Sequence, residues 1–83
     1  MRKSIKIFAE KMEAKLKTKD EERGEYGWLD SNTDINFLMN RIREEFIELE
    51  RDFKDCFQDG VASEAVDIAN FAMMISDRLR GRP

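Results

Sequence analysis

Between Ile35 and Phe53 the apolar residues Ile35, Leu38, Met39, Ile42, Phe46, Leu49 and Phe53 follow one another at steps of 3, 1, 3, 4, 3 and 4. Steps of three and four keep side chains on one face of a helix, whereas a strand, with its period of two, would scatter them over both faces. The spacing predicts a helix from about Thr33 or Asp34 to Asp55, and Ser31, Asn32, Thr33 and Asp34 all offer capping oxygens at its start. A stripe of this kind has to be covered, so the rest of the chain must supply helices to pack on it.

Two further segments have the same period. From Ser4 to Glu22 the stripe is Ile5, Phe8, Ala9, Met12 and Leu16, with Ser4 available as a cap and Gly24 marking the end. From Val61 to Arg80 it is Val61, Ala65, Ile68, Phe71, Ala72, Ile75 and Leu79. Arg23 to Asn32, with two glycines, two aromatics and a polar cluster, reads as a loop long enough to carry function. The short connection Phe57-Gln58-Asp59-Gly60 predicts that the second and third helices run antiparallel. The expected fold class is therefore all-α: an antiparallel bundle of three main helices, one domain over residues 1–83. With 41% hydrophobic and 40% charged residues and a single proline, the composition suits helices and argues against disorder. A chain of 9.8 kDa leaves about 5,200 Å² exposed when folded, so its core is small.

Several chemistries are excluded. The only cysteine, Cys56, has no internal disulfide partner, and the chain contains no histidine, which removes zinc fingers, histidine bases and histidine triads. No apolar run is long enough to span a membrane, and the charged start lacks a signal-peptide core, so a cytoplasmic protein without a membrane partner is expected. Charge is uneven: Met1–Lys19 has seven basic residues against two acidic, and Glu44–Asp67 nine acidic against two basic. The acidic middle disfavours direct nucleic-acid binding. Asp30-Ser31-Asn32-Thr33-Asp34 imitates the start of a calcium-binding EF-hand loop, but Ile35 and Arg41 stand where its glycine and glutamate belong.

The acids have defined directions. At 100° per residue, Glu45 lies about 60° and Glu48 about 120° from Ile42, on the same side of the stripe, and Glu44 lies near the back. Asp52 continues the Glu45–Glu48 edge. On the third helix Glu64 falls among the apolar positions and Asp67 at their margin. Antiparallel pairing would bring Glu64 and Asp67 opposite Glu45, Glu48 or Asp52, and carboxylates converging in a partly dry space need a cation. A hard divalent ion, Mg²⁺ above all, meets that need. The alternative is that Glu64 is a helix-start acid favoured by the dipole, while Glu45 and Glu48 are solvated beside Arg41 and Arg51.

Glu45-x-x-Glu48, fifteen residues, then Glu64-x-x-Asp67 resembles the metal-binding signature of the all-α nucleoside triphosphate pyrophosphohydrolases, the MazG-like superfamily, in a small branch found in phages and prokaryotes. Phe8–Glu13, the Gly27-Trp28 loop, Arg43–Leu49 and Glu64–Ile75 extend the resemblance over nearly the whole chain, and Asp67–Met74 is its most specific run. The resemblance implies a Mg²⁺-dependent enzyme, with Mn²⁺ as a possible substitute, that cleaves a (d)NTP to (d)NMP and pyrophosphate. It implies Glu45, Glu48, Glu64 and Asp67 as metal ligands, with Glu44 in the same catalytic motif and Glu45 or Glu48 as possible acceptor of the water proton. Asn70 would meet sugar or base, or else be an internal polar contact; Lys15, Lys19 and Arg23 would hold outer phosphates, or else be solvated cations. Trp28 would stack on a base or pack internally. The chain departs from the family pattern at Ser63, where relatives tend to carry an acid, and in the acidic run before Trp28. Members commonly have a further helix, so uncovered residues such as Phe37, Ile47, Phe57, Met73 and Met74 imply completion of the bundle by a homodimer or homotetramer. The competing expectation is a non-catalytic helical module that oligomerises or binds another protein.

Overall fold

The computed structural model describes residues 1–30 and 33–80; the capping candidates Ser31 and Asn32 and the terminal Gly81-Arg82-Pro83 lie outside them. Among the described residues all regular structure is helical: α1 (Lys3–Arg23), a single 3-10 turn (Gly27–Leu29), α2 (Ile35–Lys54) and α3 (Gln58–Arg80). No helix among these residues is long and apolar enough to cross a membrane.

The helix ends follow from local chemistry. Asp34 caps α2, its carboxylate accepting from the Asn36 N–H at 3.0 Å. Ser4 does not cap α1; it lies inside the helix, and Arg2 occupies the cap position without a side-chain bond. Gly24 ends α1 at φ 80° with its N–H on the Asp20 carbonyl. The α2–α3 connection is tighter than the spacing suggested. Phe57 N–H reaches the Asp52 carbonyl at 2.8 Å and Cys56 N–H the Phe53 carbonyl at 3.2 Å, which is a Schellman closure with Cys56 in the left-handed region at φ 59°. Because the chain reverses within three residues, α3 opens at Gln58 rather than Val61, and Gly60 sits inside the helix. Gly60 is used for close approach: a Cβ there would lie 2.6 Å from the Phe57 ring and 2.9 Å from the Asp52 carboxyl carbon.

Helix directions can be read from the contacts. Gly60 meets Asp52, Glu64 faces Asp52 and Glu48, Glu45 faces Asp67, and Arg41 lies 5.2 Å from the centre of the Phe71 ring. Partners on α2 descend as α3 ascends, so the two are antiparallel. α1 is antiparallel to α3 as well, with Lys15 on Ser63 and Asp67 and the Met12 carbonyl on Asn70. α3 is the central element, and α1 packs mainly against it.

The apolar interior is thin. Leu38 and Val66 are the buried hydrophobic residues among those described, beside buried Glu45, Asn70 and Asp77. The third-helix stripe does not form the buried side. The buried positions Val66, Asn70 and Asp77 turn another way, whereas Ala72 and Leu79 are exposed, because α1 and the 3-10 turn cover a different flank of α3. The chain exposes 6414 Å², against about 5,200 Å² for a compact protein of its mass.

Candidate functional site

The loop between α1 and α2 is pinned to α3 by its aromatic residue. Trp28 Nε1 donates to the buried Asp77 carboxylate at 2.9 Å, and Arg78 donates to the Trp28 and Asp30 carbonyls at 2.8 Å each. Arg80 also bonds Asp77, at 2.6 Å, and Tyr26 packs edge-on against Trp28 with ring centres 5.6 Å apart. Trp28 is thus a packing residue at one edge of its ring, held where its remaining surface borders a cavity.

That cavity, about 510 Å³, opens between α1, the loop, α2 and α3. Lys15, Lys19, Arg23 and Arg41 bring positive charge to it, Glu45 and Asp67 bring carboxylates, and Trp28, Phe37 and Phe71 bring aromatic surface. Its size is in the range of small-molecule sites. Asn70 lies on the wall: its Nδ2 donates to the Met12 carbonyl at 3.2 Å, and its buried Oδ1 has no partner. A buried carbonyl oxygen left without a donor costs free energy, so its placement calls for a donor from elsewhere.

The carboxylates form a chain rather than a ring. Lys15 Nζ binds the Asp67 carboxylate at 2.9 Å and the Ser63 hydroxyl and carbonyl at 2.6 and 2.9 Å. Arg41 bridges Glu44 and Glu45, with 3.0 Å to the latter. Burial is the main cause that raises the Glu45 carboxyl above its ordinary range, followed by repulsion from Asp67 and Glu48 and opposed by Arg41. Glu64 is pushed further, to about 7, by burial first, then by a hydrogen bond with Asp52 and the charges of Asp52, Glu48 and Glu45. Its Oε2 is buried without a partner. Glu64 therefore keeps its proton toward neutral pH, facing Asp52.

The structure places the residues singled out in the sequence in three groups. Lys15, Lys19, Arg23, Trp28, Asn70, Glu45 and Asp67 line the cavity. Glu48 and Glu64 lie behind it with Asp52, within electrostatic reach of Glu45. Glu44 is exposed, joined to the site through Arg41. Glu64 is in the second turn of α3, past the reach of the helix dipole. The sequence reading gave no site role to Arg41, Asp77 or Arg78; the four-residue step from Arg41 to Glu45 was the available signal for the first, and nothing local marked the other two.

The donor chemistry fits a hard divalent cation: oxygen ligands only, mutually repelling, one of them orphaned. Convergence is incomplete, because Asp67 is turned to Lys15 and Glu45 to Arg41. Among the described residues no three acidic or cysteine side chains are placed together to hold a metal ion. No protein-family model, curated protein or solved structure matches the chain.

Proposed function

We propose that this chain is a MazG-like, Mg²⁺-dependent (d)NTP pyrophosphohydrolase of the cytoplasm, acting as a homodimer or homotetramer. The observation that carries the reading is the meeting, in one cavity, of four cations with Glu45 and Asp67, backed by the Glu48, Asp52 and Glu64 carboxylates. Such a site can take a polyphosphate and a metal side by side. Lys15, Lys19 and Arg23 would receive the outer phosphates, Asn70 Oδ1 a sugar or base donor, and the free face of Trp28 the base. Glu45, Glu48, Glu64 and Asp67 would hold Mg²⁺, which when bound neutralises phosphoryl charge and acidifies water. In the proposed reaction a water oxygen would attack the α-phosphorus, breaking the bond to the bridging oxygen and releasing pyrophosphate. Glu45 or Glu48 would instead take the water proton directly where it does not hold the metal.

A panel of (d)NTPs incubated with Mg²⁺ tests the reading directly. Monophosphate and pyrophosphate are the expected products; orthophosphate, or no turnover of any triphosphate, overturns it. A second reading, a non-catalytic interaction module, draws on one observation: Asp67 is already paired with Lys15, and Glu44 and Glu45 with Arg41. Such a module would be indifferent to Mg²⁺ and to substitution of Glu64 or Asp67.

A further inference from the structure

We infer that the buried carbonyl oxygen of Asn70 is the specificity-determining group for the sugar: it accepts from a hydroxyl of ribose or deoxyribose, so that the site discriminates against dideoxynucleotides. The inference rests on the nucleotide reading above and fixes which part of the nucleotide this side chain meets. Asn70 is 5% exposed and stands on the wall of the cavity of about 510 Å³. Its Nδ2 donates to the Met12 carbonyl at 3.2 Å. That bond also fixes the orientation of the amide, since turning it over would set two carbonyl oxygens against each other. Oδ1 is left buried without a donor.

Donors around the cavity are committed elsewhere. A lysine ammonium has three N–H bonds, and Lys15 directs its three to the Ser63 hydroxyl, the Ser63 carbonyl and Asp67. Thr18 donates to the Lys15 carbonyl, Thr33 to the Gly27 carbonyl and Trp28 to Asp77. A buried acceptor in this condition costs free energy. A ligand that brings an O–H or N–H to this point recovers that cost, and one that lacks the donor does not.

The order of groups along α3 selects the sugar over the base. Asp67, Asn70 and Met74 all line the cavity, and steps of three and four keep them on one face of the helix. Over about 10 Å of rise this wall passes from a carboxylate to an amide to a thioether. Lys15 and Ser63 stand at the Asp67 end. At the other end Phe71 and Met74 line the cavity, and Trp28 is tied down beyond them by its bond to Asp77. A nucleotide runs in the same order: phosphates suited to the cations and a metal, a hydroxylated sugar, then a flat base suited to the aromatic residues. Asn70 stands about 4.5 Å of rise from Asp67, at the level of the sugar. A base stacked on Trp28 lies further along the same wall.

Trp28 is the single tryptophan of the chain, so its fluorescence reports entry of a nucleotide into the cavity. Titration with a ribo-, a deoxy- and a dideoxynucleoside monophosphate of the same base, without metal, tests the inference apart from catalysis. The dideoxy compound should bind about tenfold to a hundredfold more weakly than the better of the other two, the effect of one buried hydrogen bond. Equal binding of the ribo and deoxy compounds then assigns the 3′-hydroxyl, and tight binding of the ribo compound alone assigns the 2′-hydroxyl. Asn70→Ala should bring the three affinities together. Equal affinities in the wild type overturn the inference, as does a sugar preference that survives Asn70→Ala or a preference set by the base and blind to the sugar. A chain whose Trp28 fluorescence and melting midpoint ignore all three compounds overturns it as well. Should the variant fail to fold, the wild-type ratio decides. The triphosphate panel reads separately: pyrophosphate released from deoxy and dideoxy triphosphates at equal kcat/KM refutes the role of Asn70 and keeps the pyrophosphohydrolase, whereas sugar-dependent binding without turnover does the reverse.

Discussion

Lys15 links the acidic site to its surroundings more directly than any other side chain. Its ammonium lies on Asp67 and on both oxygens of Ser63, the place a metal would need Asp67 to be free. Lys15→Met should tighten Mn²⁺ binding, read by calorimetry or electron paramagnetic resonance, about threefold to tenfold, the size of a half-exposed ion pair. On the proposed reading it should also lower kcat/KM for a triphosphate. Unchanged metal affinity would show that Lys15 does not compete for the site. Glu64 makes a pH prediction. Its carboxyl titrates near 7 when folded against 4.5 otherwise, so between those values the folded chain binds the extra proton. The stabilisation from this group is complete below about pH 4.5 and is lost as pH rises through 7. Metal-free protein should melt progressively lower across that window, and Glu64→Gln should flatten the slope. An identical slope in both proteins would assign the titration elsewhere. Glu64 was legible in the sequence as an acid among apolar positions, but its raised carboxyl beside Asp52 was not, since it depends on how far apart two helices settle.

The connecting elements hold the strain and the anchors. Cys56 takes a left-handed conformation to close the α2–α3 turn, which costs a side-chain residue about 1–2 kcal/mol. Cys56→Gly should therefore stabilise the chain, by roughly 0.5–1 kcal/mol after the entropy that glycine adds to the unfolded state. Urea unfolding measures it, and a loss of stability would mean that the turn has no strain to relieve. Trp28 is the opposite case. Trp28→Phe removes the donor to the buried Asp77 and should cost about 1–3 kcal/mol, loosening the loop that frames the cavity; a neutral substitution would show that Arg80 and the rest of the Asp77 environment suffice. The turn itself could be read from Phe57–Gly60 only to within a few residues. Gly60 looks like a helix breaker in one dimension, yet its place in α3 is fixed by the Asp52 and Phe57 side chains crowding it.

At the scale of the molecule, the chain is extended and open. Its radius of gyration is 13.6 Å, against about 11.8 Å for a compact chain of this length, and few side chains are fully buried. Stability under these conditions draws on whatever binds the folded form. If the carboxylates hold Mg²⁺, millimolar metal should raise the melting midpoint at a pH above 7, where Glu64 is ionised, by a stabilisation approaching about 2.7 kcal/mol at a hundredfold excess over Kd. Asp67→Asn should abolish that rise. A midpoint indifferent to Mg²⁺ favours the interaction-module reading.

The sequence by itself determined the three helical segments and the antiparallel pairing of the second with the third, because helical periodicity and a short connection are local properties that residue spacing records. It also marked which faces are apolar. What only the tertiary structure decided is what those faces meet. Lys15 sits on Asp67, Trp28 on Asp77, and the α3 stripe that looked like core is half-buried with Ala72 and Leu79 exposed, since each outcome depends on distances between segments tens of residues apart. The same 3–4 spacing describes a stripe packed within the chain and a stripe left partly exposed, and the placement of α1 on the far side of α3 decides between them.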